Sequence, residues 1–507
     1  MTHRNHYSLA RAKRSLLHFG IGKAASAALG IVVLVLSVRI LPTSDYGAYV
    51  ALLAFLELFY VVTGFGLSTI AQRYVAEFRM RSHPAHFRRF IGGIFALRAL
   101  FACLASAIVI VAAPYLLEIF ELSLDDRTLW LIPALLVTGS CTRYLDEVFP
   151  SLLLQAYTQG LLFLSNAIRA SVLVSIVLSS AASFGFIDML LLELGVSLVA
   201  AIAGIALLAH YLSTESGDKG QAAYENRRMW PVALRFYLVQ MIGQAYGPNA
   251  IKLLLSKMLG LTQTATFGFL QAIADMIRNY LPAYLLATWI RPLMVARYVE
   301  RRDMQEISTM ANVVVKLSLL GVMPFAAFFA THGDAFAAWI SAGKYGNAAS
   351  VLTLLMALVA MQSMHNIMSM VTVTVERAGA NVIATIACCL SLPLAIGLTP
   401  IFGLDGVATA MVLAECLWVG IVWSSLNRNG YTVRFDLRGI VRIIATGLTV
   451  TALLHAVSGV GIDGWYLLPL LALTGAGALA VAALLKPFTD DERAIIGKLI
   501  PPRFVVW

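Results

Sequence analysis

Charged side chains recur inside stretches of this sequence that are otherwise apolar. The segment QAIADMIRNYLP, residues 271 to 282, places Asp275 and Arg278 one helical turn apart within a long hydrophobic run. If such a run crosses a bilayer, each central ionisable group costs roughly 2.5–3.5 kcal/mol or more and normally faces a protein interior or an aqueous cavity. Asp275 and Arg278 therefore form either a structural ion pair or part of a cavity, and the sequence leaves both open.

Basic residues occupy this intramembrane setting in five different apolar runs. An arginine guanidinium grips phosphate oxygens bidentately, whereas a lysine ammonium supplies a compact point charge. Several such cations around one cavity would suit an anionic head group such as a diphosphate, and would suit a cationic drug poorly. We predict that an anionic head group is bound by Arg98, Arg169, Lys252, Arg278 and Lys316, with the polar residues Gln244 and Asn279.

Polar residues at helical spacing form three stripes in the second half of the chain. The stripes are Gln271, Asp275, Arg278, Asn279 and Pro282; Gln362, His365, Asn366 and Ser369; and Gln240, Gln244 and Gly247. They line a shared wet surface or make ordinary hydrogen bonds between helices. Because histidine changes charge near neutral pH and carboxylates can carry protons, the ion-coupling candidates are Asp275, Glu415 and His365.

A further charged group lies in another apolar run. Arg143, Asp146 and Glu147 have i, i+3, i+4 spacing, which places them on one face of a helix. The spacing predicts that they neutralise one another as a structural cluster.

Composition identifies the class of protein. The chain has 507 residues, of which 60% are hydrophobic and 13% charged, and its mean hydropathy is +0.81. A soluble protein carries roughly 25% charged residues, and the apolar runs here are each close to the ~20 residues that span a bilayer as a helix. We predict an all-α integral membrane protein. Its first apolar run is expected to be a retained span and not a cleaved signal peptide.

Gly, Pro and charged residues divide the apolar sequence into about fourteen predicted transmembrane helices. Their limits are 17–41, 47–72, 89–112, 129–154, 160–180, 186–211, 231–257, 264–296, 306–330, 348–375, 379–400, 404–426, 438–458 and 463–485. With the N-terminus in the cytoplasm, the inner connections hold 23 Lys and Arg residues and the outer ones 3. This asymmetry predicts that both termini are cytoplasmic. The net charge of +10 is explained by these basic inner loops. No nucleic-acid partner is therefore expected.

The connections are too short to contain a soluble catalytic domain. The longest inner loop, residues 213–230, is rich in Gly, Ser and charge and predicts a cytoplasmic linker. It would join an N-lobe of helices 1–6 (residues 1–212) to a C-lobe of helices 7–12 (231–427), followed by helices 13–14 and the tail (428–507). No Walker-type phosphate loop is present. The five cysteines show no metal-ligand or disulfide pattern. No catalytic residue, metal or cofactor is therefore predicted. An ion gradient, of H⁺ or Na⁺, or the membrane potential would supply the energy, and the sequence does not choose between them.

Short motifs at the start of each predicted lobe resemble a known family. LPTSDYGAY (41–49) is followed by GFGLSTIAQRYVAEF (64–78), and LGLTQTATFGFLQAI (259–273) resembles the matching element of the second half. These motifs resemble the polysaccharide-transporter, Wzx-type branch of the multidrug/oligosaccharidyl-lipid/polysaccharide (MOP) exporter superfamily. Members often carry an acidic residue in the seventh span, where this chain has Lys252, so a cation-coupling role is not assigned to that position.

The resemblance implies a flippase of the bacterial inner membrane. It would move undecaprenyl-diphosphate-linked oligosaccharide from the cytoplasmic to the periplasmic leaflet by alternating access of two lobes. The product would be a cell-surface polysaccharide such as O-antigen, exopolysaccharide or capsule, and the expected partners are polysaccharide polymerase and glycosyltransferases. The alternatives are an ion-coupled multidrug exporter of the same superfamily and a membrane-embedded glycan ligase or polymerase. A purely structural scaffold is a third, although it would not require so many buried charges.

Overall fold

Helices form all the regular structure in the described residues. The computed structural model describes residues 9–119, 129–179, 184–214, 226–377, 379–457 and 462–499. In chain order the α-helices are α1 Leu9–Ile40, α2 Thr43–Gly64, α3 Leu67–Arg81, α4 Pro84–Ile119, α5 Leu131–Ser151, α6 Gln155–Ser179, α7 Phe186–Thr214, α8 Asn226–Ala245, α9 Pro248–Tyr280, α10 Pro282–Leu285, α11 Ala287–Arg301, α12 Met304–Ile340, α13 Ala349–Thr374, α14 Gly379–Cys388, α15 Ser391–Arg428, α16 Leu437–Val457, α17 Leu467–Leu485 and α18 Asp490–Leu499.

Ten segments of the described chain are long and apolar enough to cross a bilayer. One of them, Gly379–Arg428, contains two of the predicted spans. The helix α5 covers another predicted span, but its three charged residues lower its hydropathy. The predicted all-α membrane architecture is confirmed, while the cytoplasmic position of the two termini stays a prediction.

Two glycines interrupt helices close to predicted span boundaries. Gly260 has φ 78° and ψ 176° inside α9, and Gly403 has φ 55° and ψ −131° inside α15. A positive φ is strained for residues with a Cβ atom and accessible to glycine. These positions therefore fix the two breaks, which fall in the gaps predicted between spans seven and eight and between spans eleven and twelve.

The chain divides into two compact units. Unit 1 is Met1–Ala265 and unit 2 is Thr266–Trp507. Most of the predicted linker, residues 215–225, lies outside the described residues. The predicted lobe limits of 1–212, 231–427 and 428–507 stay predictions.

The charged helix α5 lies at the centre of unit 1, where it packs against α2, α3, α4, α6 and α7. Its apolar residues contribute to two buried clusters. Leu145 and Phe149 pack with residues of α3 and α4, whereas Ile132 and Leu136 pack with α2 and α7. The central position surrounds the polar residues of α5 with other helices, which can supply counter-charges.

The corresponding central helix of unit 2 is α12. It packs against α13, α16, α17 and α18 and carries Lys316, whose side chain is fully buried. The Lys316 ammonium donates to Asp436 at 2.5 Å, to Glu492 at 2.6 Å and to the Pro487 carbonyl at 3.0 Å. This cluster joins the last helix of the described chain to the middle of unit 2.

Local sequence explains both carboxylates of the Lys316 cluster. Glu492 accepts from the Thr489 amide at 2.8 Å while the Thr489 hydroxyl faces the Glu492 amide, which is a capping box at the start of α18. Partial burial raises the pKa of Asp436, but bonds from the Lys316 ammonium and the Gly439 amide lower it further, leaving it below the usual value. Its contribution to stability is therefore complete above the ordinary aspartate pKa and is lost as the pH falls below that value.

Replacing Lys316 with Met should destabilise the protein by about 3–5 kcal/mol, because Asp436 and Glu492 would lose their buried counter-ion. The measurement is the unfolding transition of the detergent-purified protein. Lys316→Met/Glu492→Gln should recover part of the loss, since glutamine keeps the capping bond and carries no charge. The exposed Lys486→Met is the matched control. Wild-type stability in Lys316→Met would contradict the assignment.

Candidate functional site

Arg98 is part of a buried ion pair between helices of unit 1. Its Nη1 lies 2.7 Å from the Glu147 carboxylate, and the Arg98 side chain is 3% exposed. Ser68 of α3 donates to the same carboxylate at 2.7 Å. Arg98 was predicted to bind an anionic head group. Its position between α4 and α5 instead gives it a protein counter-ion, and the head-group role stays a prediction that this pairing does not favour.

A cavity of about 460 Å³ lies inside unit 1, surrounded by α1, α2, α5, α6 and α7. This volume is within the range of roughly 300–1,000 Å³ that is usual for small-molecule sites. Five ionisable side chains line it, in addition to tyrosines and small polar residues: Glu57, Arg143, Asp146, Arg169 and Glu193. The cavity therefore combines apolar walls with charge of both signs.

The more buried ion pair of the cavity joins α6 to α7. Arg169 donates to both oxygens of Glu193, at distances of 2.8 to 3.2 Å. The Tyr49 hydroxyl donates to the same carboxylate at 2.8 Å, and Asn166 accepts from Arg169 at 3.3 Å. Arg169 thus reaches the cavity, as expected of a binding residue, but its charge is already neutralised by a bidentate partner.

The more exposed ion pair joins α5 to α2. Arg143 donates to both oxygens of Glu57, and its guanidinium lies 5.7 Å from the centre of the Tyr60 ring. Arg143, Asp146 and Glu147 were predicted to neutralise one another. Arg143 and Glu147 instead form their hydrogen-bonded ion pairs with residues of neighbouring helices, while Asp146 interacts with Arg143 electrostatically. Asp146 also lines the cavity, and its carboxylate accepts no hydrogen bond from the described residues.

In unit 2 the predicted pair on α9 is formed. Arg278 Nη1 lies 2.9 Å from Asp275 and donates to Gln362 of α13 at 3.2 Å. The guanidinium also lies 5.6 Å from the centre of the Tyr284 ring. The Arg278 and Asp275 side chains are 23% and 34% exposed. The first two polar stripes therefore meet through the Arg278–Gln362 bond, and Arg278 keeps partial access to solvent.

A second polar cluster in unit 2 contains two of the three ion-coupling candidates. His365 Nδ1 lies 2.7 Å from the Glu415 carboxylate, which connects α13 to α15. The imidazole stacks on the Trp418 indole, with 3.5 Å between ring centres and 6° between ring planes. This geometry fixes the orientation of a titratable ring against a carboxylate.

The remaining predicted residues occupy other positions in the two units. Lys316 belongs to the fully buried cluster with Asp436 and Glu492. Lys252 and Gln244 are partly buried residues of unit 1, and Asn279 is exposed on α9. The head-group roles of these residues stay predictions.

Sequence reasoning missed Glu193, which bonds to both Arg169 and Tyr49. It lies in DMLLLELGV, a strongly apolar segment of α7, and its isolated acidic charge was the available signal. The Tyr49 and Trp418 contacts had no such signal, because aromatic residues are common in any membrane helix. Pairing between helices depends on packing that local spacing does not encode.

Similarity to known proteins agrees with this architecture. Residues 13–295, more than half of the chain, match the family model described as "Polysaccharide biosynthesis protein". The chain belongs to this family. Its membership confirms the resemblance of the motifs to the polysaccharide-transporter branch of the MOP superfamily, and it indicates a transporter or flippase. No curated protein matches the chain as a relative.

Solved structures of this superfamily share the fold. The lipid II flippase MurJ in an inward-closed conformation is similar with a TM-score of 0.68 and 13% identity, covering 94% of this chain and 99% of MurJ. The MATE multidrug transporter DinF-BH, solved with a bound ligand, has a TM-score of 0.58 and 13% identity, covering 85% and 97%. An inward-facing MATE-family transporter has a TM-score of 0.57 and 12% identity, covering 80% and 95%.

Substitutions of Arg98 and Glu147 separate a structural pair from a head-group contact. Arg98→Met should lower the yield of monodisperse protein in size-exclusion chromatography, because Glu147 loses its buried counter-ion. Arg98→Met/Glu147→Gln should recover most of that yield. Full yield of Arg98→Met together with loss of transport would instead identify Arg98 as a substrate contact.

Proposed function

We propose that this family member flips a polyprenyl-diphosphate-linked oligosaccharide from the cytoplasmic to the periplasmic leaflet of a bacterial inner membrane. The family description and the fold shared with a lipid II flippase support this proposal. The structural similarity to the flippase includes a larger share of this chain than the similarity to the multidrug transporters does. This difference favours a lipid-linked substrate. Transport would proceed by alternating access during synthesis of O-antigen, exopolysaccharide or capsule, with glycosyltransferases and a polymerase as partners.

The state of Arg278 is the observation that supports an anionic head group most directly. Both of its described bonds use Nη1, and its Nε atom has no hydrogen-bond partner among the described residues. The edge formed by Nε and Nη2 can donate two parallel hydrogen bonds to phosphate oxygens. Nε is buried in this conformation, so bidentate contact requires the side chain to rotate. Among the basic residues proposed to bind the head group, Arg278 is therefore partly exposed and has N–H groups that make no hydrogen bond to the described residues.

Replacing Arg278 with Gln should slow leaflet exchange of a labelled polyprenyl-diphosphate sugar at least tenfold in proteoliposomes. A hydrogen bond to a charged group contributes about 1.5–3 kcal/mol, and tenfold corresponds to about 1.4 kcal/mol. Arg297→Gln is the matched control, because Arg297 is an exposed arginine of the same unit with glutamate partners on the protein surface. Equal rates for Arg278→Gln and wild type would refute the contact.

We further propose that His365 and Glu415 couple transport to a proton gradient. An imidazole can take up and release a proton, and the bond of His365 to Glu415 connects α13 with α15. Protonation would strengthen this connection, and deprotonation would weaken it. The pair could thereby bias the packing of α13 against α15. The proposed coupling ion is therefore H⁺ and not Na⁺.

Glu415→Gln should abolish the acceleration of leaflet exchange by an imposed pH gradient, while gradient-free exchange continues. The measurement is the ratio of exchange rates with and without the gradient. Glu376→Gln changes an exposed glutamate beyond the end of α13 and should keep the wild-type ratio. An unchanged ratio in Glu415→Gln would show that coupling takes place elsewhere.

Multidrug export is the second candidate function. Three carboxylates and two guanidinium groups line the cavity of unit 1, and this acidic excess favours a cation. Efflux of a lipophilic cation by the purified protein, without exchange of any polyprenyl-diphosphate sugar, would select this candidate over the flippase.

A further inference from the structure

We infer that the cavity of unit 1 binds a neutral or amino-substituted sugar ring of the glycan and disfavours acidic sugars. This inference rests on the proposed flippase function. It assigns part of the substrate to a cavity whose lining was not among the predicted head-group residues, Arg169 excepted.

Three tyrosines on α2 provide aromatic walls for the cavity. Tyr46, Tyr49 and Tyr60 all line it. The hydroxyl of Tyr49 donates to Glu193, and that of Tyr60 donates to the Leu135 carbonyl at 3.0 Å. These bonds fix the two rings, which can pack against the C–H face of a pyranose without losing rotational freedom on binding.

A glycine allows one of these rings to reach its position. A Cβ atom at residue 139 would overlap the Tyr60 ring, so Gly139 lets α5 approach α2 closely at this point. The close approach also brings Arg143 of α5 to Glu57 of α2. The aromatic wall and the charged wall of the cavity are thus set by the same helix contact.

The polar lining matches the hydrogen-bonding capacity of a sugar. Each sugar hydroxyl donates once and accepts up to twice. The exposed carboxylate of Asp146 offers acceptors, and the Arg143–Glu57 pair, with side chains 45% and 38% exposed, offers donors and acceptors together. Ser165 and Asn166 of α6 add neutral groups to the same lining. Vicinal hydroxyls can therefore find fixed partners on several walls.

Charge determines which sugars suit this lining. Glu57, Asp146 and Glu193 outnumber Arg143 and Arg169, so the lining carries one net negative charge when all five groups are ionised. The two guanidinium groups donate to Glu57 and Glu193. Asp146 interacts electrostatically with Arg143 but accepts no hydrogen bond from it among the described residues, so its carboxylate oxygens remain available to the cavity. A uronate placed there would meet a like charge, which disfavours binding. A neutral sugar avoids this repulsion, and an amino sugar would gain attraction.

The experiment measures leaflet exchange of two labelled polyprenyl-diphosphate lipids in proteoliposomes containing the full chain. One lipid carries glucose and the other glucuronic acid, which is of similar size but adds a carboxylate. Wild type should exchange the glucose lipid about fivefold faster than the glucuronic acid lipid. This factor corresponds to about 1 kcal/mol, the largest free energy usual for a charge contact exposed to solvent. Asp146→Lys should reduce or reverse that preference, because the net charge of the lining becomes positive.

Two further variants keep the result interpretable. Asp146→Asn removes the same charge without adding a bulky cation and should also reduce the preference. Glu300→Lys makes the same change of charge at a surface position that is 65% exposed on α11 and should leave the preference unchanged.

The possible outcomes separate the inference from the proposed function. Equal exchange of both lipids by wild type, or a preference unaltered in both Asp146 variants, overturns the sugar site while the flippase function stands. Exchange of neither lipid by wild type overturns the proposed function and the inference together.

Discussion

Compensation of charge between helices is the constraint on which this structure depends. A guanidinium or ammonium within an apolar bundle is tolerated when an acidic partner lies within hydrogen-bonding distance. Here the partner comes from a different helix in the case of Arg98, Arg143 and Arg169. Each bond therefore fixes the relative position of two helices, and it is more directional than the dispersion contacts around it. The central positions of α5 and α12 follow from this requirement, since only a surrounded helix can reach several partners.

The same constraint divides the basic residues into two groups. Those with fully engaged bidentate or multiple carboxylate contacts, such as Arg169 and Lys316, serve the packing of their units. Arg278 differs because its acidic partner is one turn away on its own helix, so pairing fixes no second helix through a charge. Its link to α13 is through a neutral amide. An ion pair within one helix is easier to exchange for a ligand than one that holds two helices together.

Much of the fold could be predicted from the sequence because membrane spanning is dictated by local chemistry. Hydropathy identified most of the spans, and the breaks at Gly260 and Gly403 fall where glycine separated two apolar runs. The site was less predictable. Arg278 and Asp275 pair at a spacing visible in the sequence, whereas Arg143 and Glu57 are 86 positions apart. Such a partner is chosen by tertiary packing, whereas local spacing favoured the nearer Asp146, which interacts with Arg143 without a hydrogen bond between them.

The Lys316 cluster has a consequence for biogenesis. Its two carboxylate partners follow 120 and 176 positions later in the chain. At a ribosomal rate of about 5–20 residues per second, the second partner emerges roughly 10–35 s after the lysine. Until Asp436 has emerged, the nascent helix lacks both carboxylate partners of its ammonium. The Lys316 cluster is therefore complete only after α18 has been synthesised, and a chain truncated before α18 would keep Asp436 but lose Glu492 as a partner of the buried ammonium.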